Sequence, residues 1–453
     1  MDRDERLSAA DFPEDFRFGA ATSAYQVEGA VGEDGRGPSI WDTFSHIPGK
    51  IRGADTGDVA CDHYHRFRTD AALMRELGIR HYRFSIAWPR IIPDGVGRIE
   101  PRGLAFYDRL VDTLLEHEIR PFPTLFHWDL PQALEDRGGW RVRSTADAFA
   151  RYADVVGRAL GDRVDEFATH NEPWCAAVLG YQTGQHAPGA RDRGSAVRAA
   201  HHLLYAHGLA SQALRAAGVR QVGIVVNPKA VMPATDSADD IAAAAMVEAR
   251  DNAWFLDPLF HARYPEAIAA ETAAIDGLVQ DADLGTVAQP IDFVGVNYYQ
   301  PDVVRGVRGP GGLTALDATP KTRVTQMGWP VDATALGHLL GHLAATYTGS
   351  IPLYVTENGA AYEDRIDAGG EVDDPDRTQY LREHLAAVRE AARAGVPVKG
   401  YYVWSLLDNF EWAEGYARRF GIVYTDPSRP ELRIPKGSAR WYRSFLQGAA
   451  VRP

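Results

Sequence analysis

Cysteine is scarce: the 453-residue chain has two, Cys61 and Cys175, far apart in sequence. That argues against a disulfide framework, and two isolated thiols fit a reducing compartment better than an oxidising one. Long apolar runs are lacking as well, and no stretch is long enough to cross a bilayer. The opening residues, MDRDERLSAADFPEDF, are charged and without the apolar core of a secretory signal, so a cytoplasmic location is expected. Positive charge is in deficit, with 48 Lys and Arg against 61 Asp and Glu, a net −13 spread along the chain. Neither a nucleic acid nor an anionic membrane is expected as a partner. No Gly-x-Gly-x-x-Gly turn follows the first strand-like run, and GVRGPGG (306–312) is not followed by Gly-Lys-Ser/Thr. Dinucleotide and P-loop chemistry are therefore not indicated. Internal repeats and low-complexity linkers are also absent from the sequence.

What the chain does have is a rhythm. Apolar, strand-like runs recur as FRFGAATSAYQ, HYRFSIAW, RPFPTLFHW, EFATHNEP, QVGIVVN, DFVGVNYY, LYVTEN and VKGYYVWSLLDNFEW. Helix-period segments such as TDAALMRELG, AFYDRLVDTLLEHE and QYLREHLAAVREAARAG lie between several of them. Short runs apolar on both faces, alternating with helices, indicate a parallel sheet covered on its outer side. Eight units predict an α/β fold with a single (β/α)8 TIM barrel occupying residues 1–453 as one catalytic domain. Residues 301–330 and 363–376 are rich in Gly, Pro and charge. They are expected to be long loops over the active-site face, after strands six and seven.

The strand ends carry the chemistry. The first run ends near Gln26, and the second carries Arg83. The third ends in His127-Trp128 and the fourth in Asn171-Glu172-Pro173. The sixth ends in Asn297-Tyr298-Tyr299, the seventh in Glu357, and the eighth leads through Trp404 to Glu411-Trp412. Any one of these fits a turn or a cap, but the set fits convergence on one rim of a barrel. Pro173 disfavours a helical conformation at Glu172 and is expected to keep that acid on an extended strand end. Two carboxyls on one cavity, Glu172 and Glu357, are what glycosidic-bond cleavage requires: one protonated to donate to the leaving oxygen, the other ionised. Gln26, His127, Asn171, Asn297, Tyr299 and Glu411 supply partners for sugar hydroxyls, and Trp128, Trp404 and Trp412 supply faces for the ring.

With these residues in view, the chain resembles glycoside hydrolase family 1, the β-glucosidase family. The likeness runs in order through FRFGAATSAYQVEGA, RFSIAWPRI, TLFHWDLPQAL, THNEPW, VGVNYY, YVTENG and WSLLDNFEWAEGY, essentially the whole chain. It implies a (β/α)8 barrel, with Glu172 as general acid/base and Glu357 as nucleophile. It further implies that Gln26, His127, Asn171, Glu411 and Trp412 hold the non-reducing sugar, above Trp404 as an aromatic floor. Asn297 and Tyr299 match groups supporting the site, Arg83 the cation beside the nucleophile, and Trp329 an aglycone-side platform. Glu411 in place of a small polar residue implies an unphosphorylated sugar, and the retained Glu172 points away from the thioglucosidase branch. His170 departs from the family's usual apolar residue before Asn-Glu-Pro; strand parity would point it with Glu172, but it is expected to pack elsewhere.

The implied reaction is a retaining double displacement at terminal β-D-glucosyl groups, with galactosyl and fucosyl groups left open. It requires the carboxyls roughly 5–5.5 Å apart, against about 6.5–9.5 Å for inversion. Arg83 is expected to keep Glu357 ionised, and the charge on Glu357 to raise the Glu172 pKa. Partners are expected to be small-molecule β-glycosides or short oligosaccharides, and a homo-oligomer is left open. Two alternatives stand beside hydrolysis: a sugar-binding barrel without catalysis, and a transglycosylase using the same intermediate. The compact CDHYH stretch, Cys61–His65, raises metal-assisted hydrolysis, but it precedes a helix away from the strand ends. Polar packing is its expected role, and no metal or cofactor is expected.

Overall fold

The eight apolar runs become eight short strands: β1 (Arg17–Ala21), β2 (His81–Ser85), β3 (Arg120–Phe126), β4 (Glu166–Asn171), β5 (Gln221–Val226), β6 (Phe293–Asn297), β7 (Leu353–Asn358) and β8 (Val398–Trp404). The computed structural model describes residues 7–448. The strands close into one barrel, each parallel to its neighbours and with β1 paired to both β2 and β8. Long helices cover the outside, among them His63–Glu76, Pro101–Glu116, Ser144–Leu160, Arg193–Ala216 and Pro375–Arg393.

Because both faces of each strand are buried, the apolar side chains divide into two cores. Inside the barrel, Phe122, Ala168, Val225, Phe293, Tyr354 and Tyr402 pack beneath Trp404. Between sheet and helices lies a larger layer that includes Tyr82, Leu125, Phe167, Ile224, Val296, Val355 and Tyr401. Alternation along each strand therefore distributes bulk to both sides.

Two expectations need correction. Strand one stops at Ala21, and Gln26 stands on the short helix Ala24–Val27 that succeeds it. Ser23 precedes that helix in extended conformation, so the chain has already left the sheet. Residues 301–330 are not simply loop: Pro301–Gly309 and Gly312–Asp317 form an antiparallel hairpin, extended by the parallel strand Ala230–Pro233. Val304 of the hairpin packs on Ala243, Ala244 and Val247. The Gly- and Pro-rich composition that suggested a loop belongs to the turn and to the exposed face. The second segment carries no strand or helix until Pro375 opens the next helix.

Two irregularities shape the C-terminal rim of the barrel. Pairing between β4 and β5 slips between Ala168 and Asn171, and pairing between β6 and β7 slips between Val355 and Glu357. Each inserts an extra residue at a C-terminal strand end, which resets which side chain faces inward.

Candidate active site

The slip in β7 aims Glu357. Tyr354 faces the barrel interior, so strict alternation would send Glu357 outward. After the slip Glu357 pairs with Asn297, and its carboxylate reaches the interior. There Arg83 Nη1 donates to Oε1 at 2.6 Å and the Tyr299 hydroxyl donates to Oε2 at 2.6 Å. The adjacent Asn358 side chain is tied to Tyr298 O, Tyr380 and Tyr401. Gly359 admits no side chain, since a Cβ there would stand 1.6 Å from the Trp404 carbonyl oxygen.

The slip in β4 has a second effect. His170 turns out of the barrel and stacks on Phe149, with ring centroids 4.6 Å apart, edged by Phe126 and Trp140. Its imidazole lies in the outer core and does not line the site, as expected for packing elsewhere. Asn171 then faces inward, and Glu172 comes next with φ 47°. This corrects the expected extended conformation. Pro173 does exclude the right-handed helical region, but the residue adopts the left-handed one instead. Trp128 (φ 78°) and Trp412 (φ 48°) do the same. Three non-glycine residues in a costly backbone region, all on one cavity, are the pattern of a site held by its surroundings.

The polar network has a readable direction. Arginine only donates, so the Asn171 oxygen must face Arg83 Nη2, at 2.7 Å, and it also accepts from Asn297 Nδ2 at 3.0 Å. The Asn171 amide nitrogen therefore faces His127 Nε2, at 3.1 Å, which must accept. Burial, with the Arg83 charge beside it, holds the His127 pKa well below its usual value. The ring is neutral with its proton on Nδ1, and that N–H has no partner among the described residues. Asn297 is oriented the same way: its oxygen accepts from Thr356 Oγ1, leaving Nδ2 to donate to Glu172 Oε1 at 2.6 Å.

The two acids thus differ in surroundings. Glu357 is paired with a guanidinium. Burial first, and the Glu357 charge second, push the Glu172 pKa up to about 7. Glu411 is raised to about 8 by burial and then by both other carboxylates.

These side chains line one cavity of about 630 Å³, within the range that holds a small ligand. It brings together His127, Trp128, Glu172, Asn297, Tyr299 and Trp329 with Glu357, Trp404, Glu411 and Trp412. Trp404 and Trp412 both lie stacked parallel to the His127 ring, at 5.9 Å, and Trp329 packs on Tyr299 and Phe420. Three of the expected residues stand behind this wall. Arg83 holds Glu357, and Asn171 links Arg83 to His127. Gln26 is fully buried, accepting from Ser23 and donating to Asn409 Oδ1 and Phe410 O, with Glu411 Oε2 at 3.5 Å.

The cavity also has walls that the strand-end reasoning passed over: Cys175, His186, Asn227, Met327 and Phe420. Asn227 ends the fifth run, QVGIVVN, so the rule used for the other strands would have found it. Cys175 stands three residues after Glu172. For His186, Met327 and Phe420 the sequence carries no signal. The CDHYH residues disperse: Cys61 Sγ meets Asp408 O, His63 meets Asp70, and His65 meets Asp62 and Glu33.

The pattern of Glycosyl hydrolase family 1 matches residues 8–450. The chain is 49% identical to the thermostable beta-glucosidase B of Thermobispora bispora, over 97% of this chain and 92% of that one. It is 45% identical to the bifunctional beta-D-glucosidase/beta-D-fucosidase of Bifidobacterium breve, over 97% and 99% of the two chains. A solved structure of the family 1 β-glucosidase from Thermotoga maritima, in complex with isofagomine lactam, superposes with a TM-score of 0.92. That match is 43% identical and covers 98% of this chain and 99% of that one.

Proposed function

The chain belongs to glycosyl hydrolase family 1, and on that premise we propose that it is a retaining β-glycosidase that releases terminal non-reducing β-D-glucosyl groups. The observation that carries the reading is a single cavity holding two carboxyls in opposite circumstances. Glu357 sits in an ion pair, and Glu172 is buried with its pKa raised to about 7. Glu357 attacks the anomeric carbon while Glu172 protonates the departing oxygen, forming a glycosyl ester. Glu172 then takes a proton from the water that cleaves the ester.

In this scheme Arg83 and the Tyr299 hydroxyl fix the nucleophile's carboxylate, and Asn297 fixes the acid's. His127 and the Glu411 carboxyl line the part of the cavity that would receive sugar hydroxyls. Trp404, Trp412 and Trp128 provide the aromatic surfaces, and Asn171 and Gln26 hold His127 and Glu411 from behind. Trp329, packed on Tyr299, faces the aglycone. The names of the relatives support glucosides as substrates and, from the bifunctional one, fucosides as well. Short β-linked glucose oligomers are natural candidates, and one catalytic unit accounts for the whole chain. The two cysteines are free and buried, which supports a reducing, cytoplasmic setting.

The test is a panel of aryl β-D-glucosides, galactosides and fucosides, with the first-formed anomer followed by proton NMR. The β-anomer is expected first. Initial release of the α-anomer would exclude the double displacement, and no turnover of any substrate would exclude the assignment.

A further inference from the structure

One of the two donors to Glu357, the Tyr299 hydroxyl, comes from a residue just past the end of β6, outside the sheet. Its main chain is held by side chains instead. Tyr298 N still donates to Glu357 O at 3.0 Å, as a parallel ladder requires. The next rung is made by the side chain of Asn358, whose Nδ2 donates to Tyr298 O at 2.7 Å. On the far side of Tyr299, the Tyr380 hydroxyl donates to Tyr299 O at 3.4 Å. The two peptide units that flank the Tyr299 Cα are therefore both anchored by their carbonyl oxygens.

These bonds run one way. A carbonyl only accepts, so the Asn358 nitrogen faces Tyr298, and the Asn358 oxygen faces Tyr401, whose hydroxyl donates to it at 2.6 Å. The amide nitrogen also donates to the Tyr380 hydroxyl oxygen at 2.9 Å, which leaves the Tyr380 proton for Tyr299 O. Burial pushes the pKa values of Tyr380 and Tyr401 up, so both hydroxyls keep the protons that this order needs. Tyr380 is seated by its ring, which stacks on His384 with centroids 3.8 Å apart on the helix Pro375–Arg393. Asn358, Tyr380 and Tyr401 are all fully buried, and none of them is among the residues lining the cavity.

We propose that Asn358 and Tyr380 are positioning residues for Tyr299: they pin the chain on either side of it, so that its hydroxyl meets Glu357 Oε2 while Arg83 holds Oε1. This rests on the reading of Glu357 as the nucleophile. A carboxylate that attacks a carbon must present one oxygen along a fixed line, and a small misplacement is expensive in rate. The slip in β7 interrupts regular pairing at Glu357, where that precision is needed. The Asn358 amide then gives the support that a further main-chain rung would have given. A carboxylate or an alkyl group of similar size could not replace it, because the site uses the amide both as a donor and as an acceptor.

The experiment is a double-mutant cycle on Tyr380→Phe and Tyr299→Phe. It is read as kcat/KM on a dinitrophenyl β-D-glucoside, whose leaving group needs no acid, so that the rate reports attack by Glu357. Thermal unfolding and near-ultraviolet circular dichroism check that each variant is folded. Asn358→Asp, which loses the amide N–H donors, is the second probe, and where it does not fold Tyr380→Phe decides. Tyr380→Phe is expected to lower kcat/KM by roughly three- to tenfold in the wild type, less than Tyr299→Phe does, and by under about twofold once the Tyr299 hydroxyl is gone. Asn358→Asp should lose more in the wild type and show the same collapse. Binding of phenyl 1-thio-β-D-glucoside, followed as competitive inhibition, should stay within about twofold in Tyr380→Phe. No loss in the wild-type background, or equal fold losses in both backgrounds, would overturn the inference and leave Asn358 and Tyr380 as packing. Inhibitor binding weakened as much as turnover would also overturn it, by showing a general distortion of the cavity. Failure of the wild type to turn over any aryl β-glycoside would overturn the functional reading and the inference with it, whereas equal losses in an active enzyme overturn the inference alone.

Discussion

Replacing Glu172 by alanine should separate substrates according to their leaving groups. In the wild type the carboxyl titrates near 7, against an ordinary 4.5, because it is buried and faces Glu357. The acid form is the one needed in the first half-reaction. The wild-type kcat/KM for a poor leaving group such as phenol or an alcohol should therefore fall as pH rises through 7. It should lose roughly tenfold per unit beyond, since this parameter reports the free enzyme's ionisations. In Glu172→Ala that limb should vanish. Without proton donation, kcat/KM for the same substrate should drop by about 10²–10⁴, or roughly 3–5 kcal/mol of barrier. A dinitrophenyl glucoside, whose leaving group departs as a stable anion, should retain most of its kcat/KM, because that parameter ends at the glycosyl ester. Its kcat should still fall, since hydrolysis of the ester has lost its base. Equal losses for good and poor leaving groups, or an alkaline limb near 7 that survives the substitution, would refute the assignment of the acid.

The same geometry sets three further outcomes. Tyr299→Phe deletes the hydroxyl that donates to Glu357 Oε2, and kcat/KM should fall about ten- to a hundredfold, the worth of a hydrogen bond to a charged group, with the unfolding temperature little changed. Glu172→Gln should be more stable than wild type at pH 8 but not at pH 4. A carboxyl whose folded pKa is raised contributes fully below the unfolded value of 4.5 and loses that contribution as pH rises toward about 7, on the order of 3 kcal/mol, so denaturant titrations at the two pH values check the sign. Lys436→Met removes the fully buried ammonium that bonds Asp364 at 2.5 Å and Asp408 at 2.7 Å, and should cost about 3–5 kcal/mol in the same assay by leaving those carboxylates underpaired.

Much of this was legible in the sequence because it depends on period and order. The eight strands can be read from apolar runs between helical segments, and the cavity from polar and aromatic residues placed at strand ends. Other features depend on register, which a one-dimensional pattern does not carry. Parity alone would send Glu357 outward and His170 inward, and both are reversed by one-residue slips in β7 and β4. A bulge has no fixed composition; it is set by which residue can be buried on which face. The hairpin Pro301–Gly309 to Gly312–Asp317 went unread for a different reason. Its alternation, with Val304 inward and Arg305 outward, was hidden under the glycines and proline of its turn. Gln26 was misplaced because a helix of four residues is too short to show a period.

The charge inventory of the cavity gives a reason for chemistry rather than mere sugar binding. Three carboxyls, Glu172, Glu357 and Glu411, line a space backed by the fully buried Arg83, which is committed to Glu357 and Asn171. Like charges so enclosed raise one another's pKa values, as they do for Glu172 and Glu411 here, and each buried acid is a standing cost to the fold. Amides would bind hydroxyls as well and remove that cost. In the proposed mechanism the arrangement becomes useful once the charge on Glu357 is consumed by forming the ester. The repulsion that held the proton on Glu172 then disappears, so the group that acted as an acid can act as a base one step later, with no movement of the backbone.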